Sequence, residues 1–234
     1  MTEAEGWLTE AQASRLAAAA RRPGPPGAVV EIGSFRGRST IVLARAAEEV
    51  VAIDPHAGSD RGPNEIGADR ARGEADLAAF ERNLQAAGVR ERVRHVRRES
   101  AAALGAVDGP VSLLYVDGAH RFAPARLDLA RWGARVAPGG AMLVHDAFSS
   151  VGVTLALLAE CVFSARWRYV GRTGSLAEYS RTTVRGRARV VDAARQLAQL
   201  PWFARNLAIK ALVLARLKPA ARALGLPPDQ PWPY

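Results

Sequence analysis

VVEIGSFRGRST, Val29 to Thr40, reads as a buried strand that runs into a glycine-bearing turn and then into a helix start. Val29, Val30 and Ile32 are β-branched and follow the breaker run PGPPG at 23–27, which predicts a short buried strand. Gly33 and Gly37 let the backbone turn sharply and approach a ligand closely, and Ser39 and Thr40 are expected to cap the following helix. A helix that begins there aims free N–H groups at a polar ligand. Asp54 stands 21 residues beyond Gly33 and closes a second hydrophobic strand, VVAID, at about the distance where an acidic side chain meets ribose hydroxyls. In a dinucleotide fingerprint, GxGxxG, the second glycine would occupy the position of Phe35. Its replacement argues against a pyrophosphate on this turn and disfavours a nicotinamide-dependent oxidoreductase.

Working outward, strands and helices alternate as in a doubly wound α/β sheet. Strands are predicted near 28–33, 50–54, 92–96, 111–116 and 141–145, and helices near 39–47, 75–87 and 122–136. An alanine-rich helix over 7–21 precedes them, and a helix near 151–163 leads to two closing strands, RWRYVG and SLAEYS. The segment PHAGSDRGPNEIGADRARGE after Asp54 is polar and glycine-rich, the composition of either an active-site lid or a surface insertion. Residues 188–200 are amphipathic, with Val190, Val191, Ala194, Leu197 and Leu200 on one half of the wheel and Arg189, Asp192, Arg195, Gln196 and Gln199 on the other. Pro201 breaks that helix, and Trp202 to Leu217 is apolar almost all round. The expected division is 1–27 for an N-terminal helix and linker, 28–183 for the α/β domain, and 184–234 for a basic helical extension.

At 234 residues the chain can bury one sizeable core. Its net charge of +9 is unevenly spread: residues 1–164 hold 19 basic and 20 acidic side chains, and residues 165–234 hold 13 and 3. Arginine supplies 30 of the 32 basic residues, as a GC-rich genome would produce, and aromatic platforms are missing, so no nucleic-acid partner is expected. The single cysteine, Cys161, excludes a disulfide framework and reads as a buried small hydrophobe, which favours a cytoplasmic protein. The acidic start, MTEAEGWLTE, lacks an export pattern, and the longest apolar run is interrupted by Lys210 and Arg216.

Ligands in open α/β sheets gather beyond the carboxyl ends of the strands. Three of the four histidines fall at such ends: His56 after IDP, His120 after YVDGA and His145 after AMLV. The fourth, His95, lies within a strand. Strand four ends in Asp117, and strand five, entered by the turn PGG at 138–140, ends in His145-Asp146. The series EIGSFRGRST, IDPH, YVDGAH, PGG and HD resembles class I S-adenosylmethionine (SAM) methyltransferases, in particular a bacterial branch acting on the hydroxyls of small molecules and sugars. The resemblance covers roughly residues 28–180 and implies a Rossmann-like, seven-stranded methyltransferase sheet whose last strand is antiparallel.

That resemblance implies a SAM site built from Glu31, Gly33, Ser34, Gly37, Asp54, Ser100 and Asp117. Glu31 alternatively pairs with an arginine, and Ser100 alternatively caps a short helix. Some relatives hold Mg²⁺ with acidic residues at the ends of strands four and five, where Asp117 and Asp146 stand. The alternative is that Asp117 orients the SAM amino group and the HD pair caps a loop. His145 is expected to be the general base, with His120 the second candidate. In-line methyl transfer requires an aligned acceptor oxygen that loses its proton, and a divalent cation lowers that oxygen's pKa while fixing its direction. The basic extension, residues 188–218, is expected either to cover the sheet or a second copy, or to meet the inner face of a membrane. In the latter case a methyltransferase-like scaffold without catalysis is the rival reading.

Overall fold

The computed structural model describes residues 4–59 and 67–226. The strands are β1 (Ala28–Ile32), β2 (Val50–Ile53), β3 (Val93–Val96), β4 (Val111–Val116), β5 (Val136–Val144), β6 (Trp167–Thr173) and β7 (Leu176–Arg181). They form one seven-stranded sheet in the order β3-β2-β1-β4-β5-β7-β6. β1 through β5 pair in parallel, and β7 is antiparallel to both its neighbours. The helices are α1 (Glu10–Arg21), α2 (Arg38–Ala44), α3 (Arg70–Ala86), α4 (Phe122–Arg135), α5 (Val151–Leu157), α6 (Gly186–Leu197), α7 (Leu200–Leu214) and α8 (Lys218–Ala223), and α5 continues into a wide π turn over Leu158–Val162.

Apolar side chains on both faces of the sheet create two cores. In β4, Leu114 and Val116 join one with Trp132, Met142 and Cys161, while Leu113 and Tyr115 join the other with Leu16, Leu43 and Phe80. The alternation is the period of a strand covered by helices on both sides. β2 is buried at every position, as a central parallel strand must be. Trp132 and Cys161 are thus core residues, as their apolar surroundings in the chain predict.

The chain order reverses between β1 and β4, so the crevice beyond their carboxyl ends is the topological switch point. Part of the glycine-rich segment expected as either a lid or a surface insertion, residues 60–66, lies outside the described residues. Strand β5 begins earlier than expected, at Val136. Its partner in β4 steps from Val111↔Val136 to Leu113↔Ala141, so PGG is looped out of the ladder instead of preceding the strand.

In the extension, the polar side of the amphipathic helix is the side that packs. Asp192, Ala193 and Gln196 of α6 face the body, while Val190 and Val191 face outward. The reason is its neighbour: α6 covers β6, an edge strand whose free N–H and C=O groups demand polar partners. Asp192 accepts the Tyr169 N–H at 2.9 Å, and Arg195 donates to the carbonyls of Tyr169 and Val170 at 3.1 and 3.3 Å. α7 packs Trp202 and Phe203 against the core and buries Asn206 and Ile209.

Candidate active site

Four strand ends build the site. At the end of β1, Gly33 has φ +86°, and a Cβ there would stand 2.1 Å from the carbonyl oxygen of Asp117. Glycine is therefore required at 33 so that the β1 turn can lie against the end of β4. Gly37, also at φ +86°, is itself the N-cap of α2. Ser39 and Thr40 do not cap the helix as expected; they point back to Glu31, and the Thr40 hydroxyl donates to Glu31 Oε2. Burial of Glu31 raises its pKa to about 8 against these two hydrogen bonds, and Oε1 has no partner. Among the described residues Glu31 pairs with no arginine; its carboxyl is a buried group behind the turn, with its pKa raised to about 8.

Asp54, at the end of β2, closes on that turn. Its Oδ2 accepts the N–H groups of Ser34 and Phe35, each at 2.9 Å, and its Oδ1 accepts the His56 N–H at 2.7 Å. Phe35 and His56 both adopt left-handed backbone conformations, and the His56 ring at Nε2 meets the Phe35 carbonyl at 2.8 Å. Helix α3 holds the same turn from outside, through Arg36 to Asp76 and Asn83 to the Arg36 carbonyl. Asp54 thus closes the turn at the crevice wall, with one lone-pair site of Oδ1 left for a ligand hydroxyl. His56 does not join the other strand-end histidines; it packs edge-on to His95 at 4.9 Å, beside Phe80.

Ser100 sits after β3 and caps nothing. Its hydroxyl donates to Asp128 of α4, and its carbonyl accepts the Trp132 indole N–H at 3.1 Å. Burial lifts Asp128 to about 6 despite the Ser100 hydrogen bond. Ser100 therefore ties the β3 end to α4 on the flank of the crevice.

At the ends of β4 and β5 the structure brings together Asp117, His120, His145 and Asp146. His145 Nδ1 lies 3.3 Å from Asp117 Oδ1 and 3.8 Å from Asp146 Oδ1, and His120 Nε2 lies 3.1 Å from Asp146 Oδ2 and 3.7 Å from Asp117 Oδ1. His145 is enclosed, with 3% of its side chain exposed, whereas 40% of His120 is exposed. Burial would lower the pKa of His145, but the adjacent carboxylates of Asp117 and Asp146 outweigh it and raise it to about 9. Burial would likewise raise Asp117, yet His145 and His120 hold it well below the usual carboxylate range.

Four supporting residues escaped sequence reasoning. The Tyr115 hydroxyl donates to Asp117 Oδ2 at 3.0 Å, and Ser149 Oγ lies 3.1 Å from Asp146 Oδ1. Asp146 and Phe148 both have left-handed backbone conformations, and α7 pins this turn: Lys210 Nζ donates to the Ser149 carbonyl at 2.9 Å and Asn206 to that of Phe148 at 3.4 Å. Tyr115 was findable, because residues two apart share a strand face. Lys210 carried no signal, being 64 positions from Asp146.

The arrangement sets the β1 turn, closed by Asp54 of β2, next to a carboxylate and imidazole cluster at the ends of β4 and β5. Residues 30–147 match the family described as a methyltransferase domain, which is half of the chain, and the protein belongs to that family. Its class I members use SAM as the methyl donor, as the sequence motifs imply. Solved structures share the fold. The O-methyltransferase NovP is 19% identical with a TM-score of 0.56, over 73% of this chain and 79% of that one. TomG from Streptomyces achromogenes, an O-methyltransferase of tomaymycin synthesis solved with SAM, is 20% identical with a TM-score of 0.55, over 75% and 82%. The calicheamicin methyltransferase CalS11 is 19% identical with a TM-score of 0.54, over 74% and 80%.

Proposed function

We propose that this protein transfers the methyl group of SAM to a hydroxyl of a small molecule or saccharide. The observation that carries this reading is the contact of Gly33 with Asp117, which sets the donor turn directly beside the acidic and imidazole cluster. Asp54 takes the ribose diol, while Gly33, Ser34 and Gly37 form the turn against which the donor lies, with Glu31 behind it. Ser100 supports the adenine side.

The cluster fits a divalent cation. The ligand atoms of Asp117, His120 and Asp146 lie within 4.8 Å of one another. Hard carboxylate oxygens suit Mg²⁺, which needs few of them because it keeps waters. Asp117 and Asp146 are its proposed ligands; when bound, it would lower the acceptor's pKa and fix its direction.

The base moves from the expected His145 to His120. Asp117 and Asp146 raise the pKa of both imidazoles, so exposure separates the two: His145 is enclosed and serves to keep Asp117 ionised and aimed. His120 reaches solvent, so a proton received there can leave. The test is release of demethylated SAM from the purified enzyme with a panel of catechols and glycosides, with and without excess chelator. Turnover that chelator abolishes and Mg²⁺ restores is expected; undiminished turnover removes the metal from the reading. His120→Ala should lower kcat about 10²-fold or more.

A further inference from the structure

Among the described residues, nothing covers the outward face of α6. Because Asp192 and Arg195 serve the edge strand β6, the apolar stripe of Val190, Val191, Ala194 and Leu197 is turned away from the body, with Val190 70% and Val191 58% exposed. Phe163, 62% exposed at the end of α5, extends the stripe; Arg189 donates to its carbonyl, and the two elements line one open groove. Arg187 lies on the same stripe, three and four positions before Val190 and Val191, and Arg185 is the N-cap. The junction of α7 and α8 repeats the combination, with Leu214 and Leu217 exposed beside Arg216 and Lys218.

Charge decides what this face can meet. Residues 165–226 hold 13 basic side chains and two acidic ones, Glu178 and Asp192. Both acids are buried, Glu178 against Arg15 and Arg22 and Asp192 against β6. A second copy docked by two-fold symmetry would set arginine against arginine, with no exposed carboxylate of this region in reply. A nucleic acid would leave the valines and Phe163 in water. An anionic lipid surface accommodates both, apolar side chains at the acyl boundary and guanidinium groups among the headgroups.

We propose that the α6 face, with Phe163, docks this protein reversibly on an anionic membrane surface. The proposal is independent of the methyl-transfer reading, since it shares no residue with the active site.

Flotation of the full chain with vesicles of equal parts phosphatidylcholine and phosphatidylglycerol tests it, alongside phosphatidylcholine alone. Flotation with the anionic vesicles only, weakened by added salt, is expected. Replacing Arg185 and Arg187 with glutamine should cut partitioning about 25-fold, roughly fivefold for each charge near the surface. V190S together with V191S should cut it about tenfold or more. These side chains are exposed, so both variants should retain the thermal midpoint and SAM affinity of the parent, which separates lost docking from lost folding. If the parent chain stays unfloated, floats equally with neutral vesicles, or floats undiminished when both pairs are replaced, the proposal fails. It fails equally if sedimentation shows a dimer that the valine pair dissolves while flotation is unchanged.

Discussion

Glu31 illustrates how a recognisable motif residue can carry an unforeseen chemical state. Its position in the strand is plain from the sequence, but its protonation depends on full burial between Thr40 and the core. A carboxyl raised to about 8 in the folded state, against about 4.5 unfolded, binds more protons folded than unfolded between those values. Stability should therefore be full below pH 4.5, as far as this group is concerned, and fall as pH rises through 8. Glu31→Gln should flatten this dependence and raise stability at pH 9 by an amount on the order of 2 kcal/mol, read from thermal midpoints at pH 6 and 9. Asp54, Asp117 and Asp146 were legible because each ends a hydrophobic run. That Asp54 would also accept three backbone N–H groups was not, since two of them belong to a turn some 20 positions away.

Helix α7 shows the same limit for a whole element. Its apolar composition foretold a cover, yet not that Lys210 would anchor the Ser149 carbonyl beneath Asp146. Lys210→Met should leave the affinity for demethylated SAM unchanged, because the β1 turn lies elsewhere. It should lower kcat about tenfold by loosening the turn that aims Asp146, and Lys210→Arg should restore part of it. Calorimetry with demethylated SAM and steady-state kinetics separate the two effects. Helix α6, expected as an amphipathic helix over 188–200, runs over Gly186–Leu197 and packs with its polar side inward. Hydrophobic periodicity assumes that a helix packs on an apolar surface, and an edge strand is a polar one.

In the molecule as a whole, the N-terminal helix is tied to β7, more than 150 positions later. Arg15 and Arg22, in and just after α1, both pair with the buried Glu178 of β7, and Gln12 donates to Ser175 at 3.0 Å. Removing a buried partner can cost 3–5 kcal/mol, but Arg15 and Arg22 are partly exposed and can rehydrate. Glu178→Ala should thus lower unfolding stability by about 2 kcal/mol, measured by urea denaturation, with the slope unchanged if the N-terminal segment unfolds with the sheet. The sequence alone determined the alternation of strands and helices, the switch-point crevice and the residues at its strand ends, because period, turn chemistry and strand termini are local properties. Only the tertiary structure decided which histidine is enclosed and which reaches solvent, which face of α6 is left in water, and that a lysine from the far end of the chain braces the site. Those outcomes depend on contacts between segments distant along the chain, and on which surface each element happens to cover.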